Sequence, residues 1–243
     1  MYHWNWGIFL SPTGTGSTYL GWLFSGLALT VALGLVAWAI ALVLGTAVGV
    51  ARTLPQKPLS WIAAAYVEVL RDVPLMVQLF TFYFVVPELL PGDLGTRVKH
   101  MNPFAQQFVA AALCLGLYTS ARIAVQVRAG IDSLAAGPRQ SAIALGLTLS
   151  QTYRHVLLPL ALRIILPPLS SEFMTVFKNS AVASMIGLLE LAAQGRQLVD
   201  YTSQPYEAFI AVTALYLVLN MSALRVMRWV EARTRVPGFA TVK

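Results

Sequence analysis

The sequence predicts an all-α integral membrane protein with five transmembrane helices, N-terminus outside and C-terminus inside. Three observations carry that prediction. Of 243 residues, 57% are apolar and 11% charged, against about 25% charged in soluble domains, and the mean hydropathy is +0.67. Leu23–Val50 runs for 28 residues without a charge. The cations fall in alternate gaps between apolar runs, so the net charge of +7 points to membrane topology and not to nucleic acid. No gap is long enough to hold a soluble core.

Met1–Gly16 has no Lys or Arg but carries Tyr2, Trp4, Trp6 and Phe9, rings that settle at the headgroup level. No basic segment precedes the first apolar run, and that run exceeds a signal-peptide core, so no cleaved leader is expected. Leu23–Val50 is long enough to cross a hydrocarbon layer of roughly 30 Å with tilt. Within it, Gly45 and Gly49 form a small-xxx-small pattern that permits close helix approach, inside the chain or at a subunit contact. Pro55 and Pro58 end the helix beside Arg52 and Lys57.

The second span, Trp61–Pro87, holds Glu68, Arg71 and Asp72 within or just below it. Charges at membrane depth cost roughly 2.5–3.5 kcal/mol each, so they face protein or water. Pro74 removes a backbone donor and is expected to kink this helix, with Gln78 near its middle. A polar loop, Glu88–Pro103, leads to the third span, Phe104–Val127, which contains Arg122 and ends at Arg128. The fourth span, Leu160–Leu189, contains Pro167, Pro168, Glu172 and Lys178. Glu190–Pro205 reads as a polar loop and Tyr206–Met227 as the fifth span.

With the N-terminus outside, Arg52, Lys57, Arg128, Arg139, Arg154, Arg163, Arg225, Arg228, Arg233, Arg235 and Lys243 lie inside. That is eleven cations, against Arg97, Lys99 and Arg196 outside, and the positive-inside rule fixes the orientation. It also puts residues 132–159 in the cytoplasm, as a loop within one domain spanning 1–243. Asp132 or Ser133 can cap a short helix reaching Leu145, Gly146 is a bend point, and Thr148 and Gln151 have capping-box spacing. The product is an elbow, fit to dock on a partner or simply to connect two spans.

Several chemistries are excluded. Cys114 is the sole cysteine and lies in an apolar run, while His3, His100 and His155 fall in different predicted compartments. No metal-ligand set and no nucleophile–base pair converge by spacing. There is no Gly-x-x-x-x-Gly-Lys-Ser/Thr loop, so any ATP is bound by another chain. A self-sufficient secondary transporter or channel, with Glu172, Lys178 and Arg71 as a relay, is the rival reading; five spans give it no inverted repeat.

The elbow resembles the EAA loop of permease subunits of bacterial ABC importers: Glu-Ala-Ala, three residues, Gly, nine residues, Ile-x-Leu-Pro. The matching positions are Gln140, Ser141 and Ala142, then Gly146, then Val156, Leu158 and Pro159. Gln140 stands where the family usually has Glu, and Ser141 where it has Ala. Docking would therefore rest on shape and apolar contact around Ala142, Leu145, Gly146 and Leu147. Residues 71–80, RDVPLMVQLF, resemble the Arg-Gly-Thr-Pro-Leu-Leu-Val-Gln-Leu-Phe stretch of polar amino-acid permeases, and residues 177–182, FKNSAV, their Leu-Lys-Asp-Thr-Ser-Leu stretch. The order of segments is most similar to glutamate/aspartate import permeases.

The resemblance implies half of a type I importer in the bacterial inner membrane. A second permease subunit, identical or homologous, would pair with it. A dimer of ATP-binding subunits would hold ATP and Mg, and a periplasmic amino-acid-binding protein would deliver substrate; this chain itself would bind no cofactor. Transporter sites lie near the midplane where helices are broken, which nominates Gln78 and the run Lys178, Asn179, Ser180 for the substrate pathway, with Arg71 and Glu172 as charged neighbours. Gln78 also fits an interhelical hydrogen bond, and Lys178 an ion pair with Glu172 or a neighbouring chain. Glu172 and Asn179, seven apart, share a helix face, whereas Lys178 and Glu172 do not. Asn179 replaces the family's Asp, and a neutral amide beside a lysine suits an acidic or neutral amino acid.

Overall fold

The computed structural model of the chain describes residues 2–14, 16–134 and 136–234. Four helical segments are long and apolar enough to cross a membrane: Tyr19–Ala51, Pro103–Asp132, Leu149–Ile186 and Pro205–Thr234. A bent pair, Lys57–Asp72 with Leu75–Leu89, supplies the fifth. In chain order the α-helices are α1 (Tyr19–Ala51), α2 (Lys57–Asp72), α3 (Leu75–Phe80), α4 (Val86–Leu89), α5 (Asp93–Lys99), α6 (Pro103–Asp132), α7 (Ala136–Ala144), α8 (Leu149–Thr152), α9 (Leu158–Asn179), α10 (Leu191–Thr202) and α11 (Pro205–Thr234). Single π-helical turns join α3 to α4 and α8 to α9, and a 3₁₀ helix, Ser180–Ile186, continues α9.

Caps explain where the long helices begin. The Thr18 hydroxyl accepts from the Gly21 N–H (3.2 Å) at the head of α1, and the Asn102 side-chain Oδ1 accepts from the Phe104 N–H (2.9 Å) at the head of α6, where Pro103 occupies the first turn. α1 and α6 then pack along most of their length. A Cβ on Gly45 would lie 2.7 Å from the Ser120 carbonyl oxygen and from Ile123 Cβ, so this close approach requires glycine. The Gly45/Gly49 pattern is therefore intrachain packing, since Gly49 meets Val127 and Ala124 in the same way. One apolar cluster joins Leu33, Ala37, Leu79, Ala111, Cys114, Val176 and Ala183 from α1, α3, α6, α9 and the 3₁₀ helix. A second joins Ala41, Ile123, Val127, Tyr153, Leu157 and Ala161.

The structure corrects four expectations. Pro74 does more than kink the second span: α2 and the segment after it meet at 105°, with Val73 extended (φ −88°, ψ 129°) because a residue before proline is excluded from helical geometry. Glu190–Pro205 is not a loop but mostly α10, whose first turn is capped by the buried Glu190 carboxylate accepting from Ala192 N (3.0 Å) and Ala193 N (2.8 Å). The loop after α4 likewise contains α5. Asp132 and Ser133 do not open α7. They close α6: the Asp132 carboxylate accepts from Arg128 (3.3 Å) and the Ser133 hydroxyl donates to the Gly130 carbonyl (2.8 Å).

The first segment is tied down. Ile8 is buried against Leu23, Leu191, Leu198, Ala208 and Val212, the Tyr2 hydroxyl donates to Glu207, and Asn5 N–H donates to the same carboxylate (2.7 Å). Trp4 and Trp6 stack at 5.7 Å and stay exposed beside Tyr206.

Candidate functional site

Two features sit apart on this frame: an elbow at one end of the bundle and a depression in its side. The elbow starts with α7. Gly146 has φ +80°, a conformation that L side chains rarely adopt, and it closes α7 with its own N–H on Ile143 O (2.9 Å) and Leu147 N–H on Ala142 O (3.1 Å). α8 opens on the capping box read from the sequence, with Gln151 N–H donating to Thr148 Oγ1 (3.3 Å) and Thr148 N–H donating to Gln151 Oε1 (2.8 Å). Pro159 falls in the first turn of α9.

Ala142 is buried, while Ile143 and Leu145 are exposed, Leu145 to 82%. Gln140, Ser141 and Gly146 are exposed and Leu147, Val156 and Leu158 half-buried. The uncovered surface includes an apolar knob, Ile143 and Leu145, with an open glycine at its tip. The elbow is anchored behind by Tyr153, which is buried and donates its phenol to the Thr53 carbonyl (2.9 Å) in the α1–α2 turn.

The depression, about 480 Å³, lies between the end of α9 and α11 and is lined by Lys178, Ala181, Thr213, Tyr216, Leu217 and Asn220. Phe177, next to Lys178, packs on Gly34 near the midpoint of α1, so the lysine sits near mid-depth in the bundle. Lys178 is exposed to the depression and, among the described residues, has no carboxylate within ion-pair distance. Tyr216 donates to Glu190 Oε2 (2.7 Å), and Thr30 Oγ1 reaches the same oxygen at 3.4 Å. The far wall is thereby fixed to α1 and to the cap of α10.

Of the six residues nominated for the pathway, the structure brings Lys178 to the depression, with half-buried Asn179 beside it. The other four do not line it. Ser180 is fully buried and donates to the Phe177 carbonyl (2.7 Å). Glu172 does not face Lys178; it is held by Arg122 and accepts from Gln126 Nε2 (3.1 Å). Gln78 donates to Leu70 O (2.7 Å) and Val73 O (2.8 Å). Leu70 O is the carbonyl that a residue-74 N–H would satisfy in an unbroken helix, so Gln78 supplies the donor that Pro74 lacks. Arg71 is exposed and shares the neighbourhood of Arg52 with Glu68, Arg128 and Asp132; burial, followed by the nearby Arg128, pushes the Arg52 guanidinium below its ordinary range.

Sequence reasoning missed Thr213, Tyr216 and Asn220. Their spacing, three and four apart, puts them on one face of the apolar stretch of α11 that precedes Ser222, and that polar stripe was the available signal.

The model of a family described as "Binding-protein-dependent transport system inner membrane component" matches residues 41–236. The chain belongs to this family. Its members are permease subunits, the membrane components of transporters whose ATPase is a separate subunit. This permease is 49% identical over 237 residues to the glutamate/aspartate import permease protein GltJ of Escherichia coli (strain K12), covering 97% of this chain and 96% of that one. It is 36% identical to the probable glutamine ABC transporter permease protein GlnM of Bacillus subtilis, over 82% of this chain and 86% of that one. Among solved structures, the crystal structure of an amino acid ABC transporter with histidines superposes with a TM-score of 0.73 at 31% identity, covering 88% of this chain and 95% of that one. The permease is thus a multi-pass membrane subunit, and its family favours the importer reading over the self-sufficient transporter.

Proposed function

We propose that this chain is the permease of an ATP-driven, binding-protein-dependent importer that carries glutamate and aspartate across the bacterial inner membrane. The observation that supports the substrate class is Lys178: an ammonium facing a depression near mid-depth, with no carboxylate in reach among the described residues. An unpaired cation in so apolar a setting is costly, and an entering carboxylate relieves that cost. Neutral Asn179 beside it adds no repulsion, and the relative GltJ bears the same substrates in its name.

In this reading residues 1–243 form a single permease domain, N-terminus outside, and residues 132–159 its cytoplasmic coupling loop. A periplasmic amino-acid-binding protein delivers substrate, and a second permease subunit, identical or homologous, completes the path. Two ATP-binding subunits hold ATP and Mg, while this chain holds no cofactor. Gln140, Ser141, Ala142, Leu145, Gly146 and Leu147 present the elbow to the ATPase, and Val156, Leu158 and Pro159 carry it into α9.

The test is uptake by the reconstituted transporter. Lys178→Met lowers glutamate uptake about tenfold or more, the effect of losing one hydrogen bond to a charged group. Asn179→Asp also lowers it, by repulsion. Unchanged acidic amino-acid uptake in both variants would remove Lys178 and Asn179 from the substrate's path.

A further inference from the structure

The elbow and the depression lie at different levels of the bundle; α9 runs from one to the other, and a second connection, a run of packed contacts, passes through α2 and α3. Among the described residues, the side-chain hydrogen bonds that leave the elbow for another part of the chain are those between Tyr153 and Thr53. The phenol donates to Thr53 O (2.9 Å), and the Thr53 hydroxyl is shared between Val50 O (2.8 Å) and the phenol oxygen (3.1 Å). Ser60 in the first turn of α2 donates to Arg52 O (3.2 Å), so the turn is tied to the helix that follows it.

α2 then rides on α6. Tyr66 donates to Ser120 Oγ (2.7 Å), whose own proton goes to Leu117 O, and Val67 packs on Ala121 and Ala124. At its far end comes the 105° corner, braced by Gln78 on two of the carbonyls beside the break, those of Leu70 and Val73. Past the corner, Leu75 and Leu79 of α3 pack in one apolar cluster with Cys114, Val182 and Ala183. Val182 and Ala183 belong to the 3₁₀ turn that begins two residues after Lys178.

From these contacts we propose that α2 and α3 form a bell crank: Tyr153 drives its input end at Thr53, Gln78 holds its corner rigid, and its output end bears on the segment that carries Lys178. Gln78 and Tyr153 are positioning residues, acting on the depression through other groups. The inference rests on the docking reading of the elbow given above. A crank suits this task because packed contacts transmit displacement, whereas an unbraced break at Pro74 would absorb it.

The test uses the complete transporter in liposomes: permease chains, ATPase and binding protein, with radiolabelled glutamate and ATP hydrolysis measured together. Tyr153→Phe keeps the ring in its buried seat and removes only the hydroxyl. It leaves ATP hydrolysis intact and lowers uptake per ATP about fivefold, the shift expected when one net hydrogen bond is lost from one side of a two-state equilibrium. Gln78→Leu lowers the same ratio, and the double variant falls no further than the worse single variant, because both act on one lever. A wild-type ratio in Tyr153→Phe, or losses that multiply in the double variant, overturns the crank. Gly146→Asp separates the two readings: normal uptake there sinks the docking reading itself. Its loss, with Tyr153→Phe unaffected, sinks the crank alone.

Discussion

Arg122 closes on Glu172 through two hydrogen bonds, Nε to Oε2 at 2.7 Å and Nη2 to Oε1 at 3.0 Å, fastening α6 to α9. Fork and carboxylate match in geometry, and Gln126 takes a further lone pair of the acid. The acid is buried and the arginine side chain 41% exposed. Glu172→Leu leaves a guanidinium without its partner inside the bundle. The loss is about 2–3 kcal/mol, at or below the low end for a fully buried pair because water reaches Arg122. Thermal unfolding of the purified subunit in detergent checks this, and adding Arg122→Met recovers most of the loss.

Glu190 holds four donors at once: two N–H groups of α10, the Tyr216 phenol and the Thr30 hydroxyl. Glu190→Ala takes this acceptor from all of them in a buried site, stranding the two N–H groups of α10, and costs at least about 2 kcal/mol of stability. Tyr216→Phe removes one donor from an acid that keeps three, and costs about 1 kcal/mol. The ordering of the two unfolding midpoints is the measurement, and Tyr216→Phe as the more damaging variant would contradict it.

Gly45→Ala presses a methyl against the Ser120 carbonyl and Ile123, both on α6. Backbone yields less than side chain, so the clash costs about 1–3 kcal/mol and exceeds the gain of about 1 kcal/mol in helix propensity. The variant lowers the unfolding midpoint of the subunit alone. A change seen only in permease pairing, with the isolated subunit unaffected, would instead put Gly45 at a subunit contact.

These cases show what the sequence could say and where it stopped. The long apolar runs, the capping box at Thr148 and Gln151, and the elbow at Gly146 were legible because each depends on local chemistry. α10 was not, since its polar residues Glu190 and Gln194 are buried by partners distant in the chain, Thr30 and Tyr216 among them for the acid. Arg122 and Glu172 were both visible as intramembrane charges, but fifty residues of separation concealed that they pair with each other. Gln78 lies near the midplane beside a helix break, which fits the substrate pathway and an interhelical hydrogen bond alike. Here the missing N–H of Pro74 claims it first.

Gly146 permits a prediction that separates backbone from surface. Its φ of +80° suits glycine and, next best, asparagine, while a β-branched residue is strained there. A Cβ at this position would meet nothing within 4 Å in the isolated chain, so bulk alone costs nothing until a partner covers the tip. Gly146→Val therefore distorts the turn by about 1 kcal/mol or more and loosens the Leu147-to-Ala142 bond. Gly146→Asn keeps the turn and changes only what the elbow presents. If docking buries the tip, both variants lose co-purifying ATPase, and Gly146→Val also lowers the unfolding midpoint of the free subunit. If the tip stays open in the assembled transporter, Gly146→Asn retains the ATPase in full, and the apolar knob at Ile143 and Leu145 alone carries the grip. Pull-down yield against unfolding midpoint for the two variants distinguishes these outcomes.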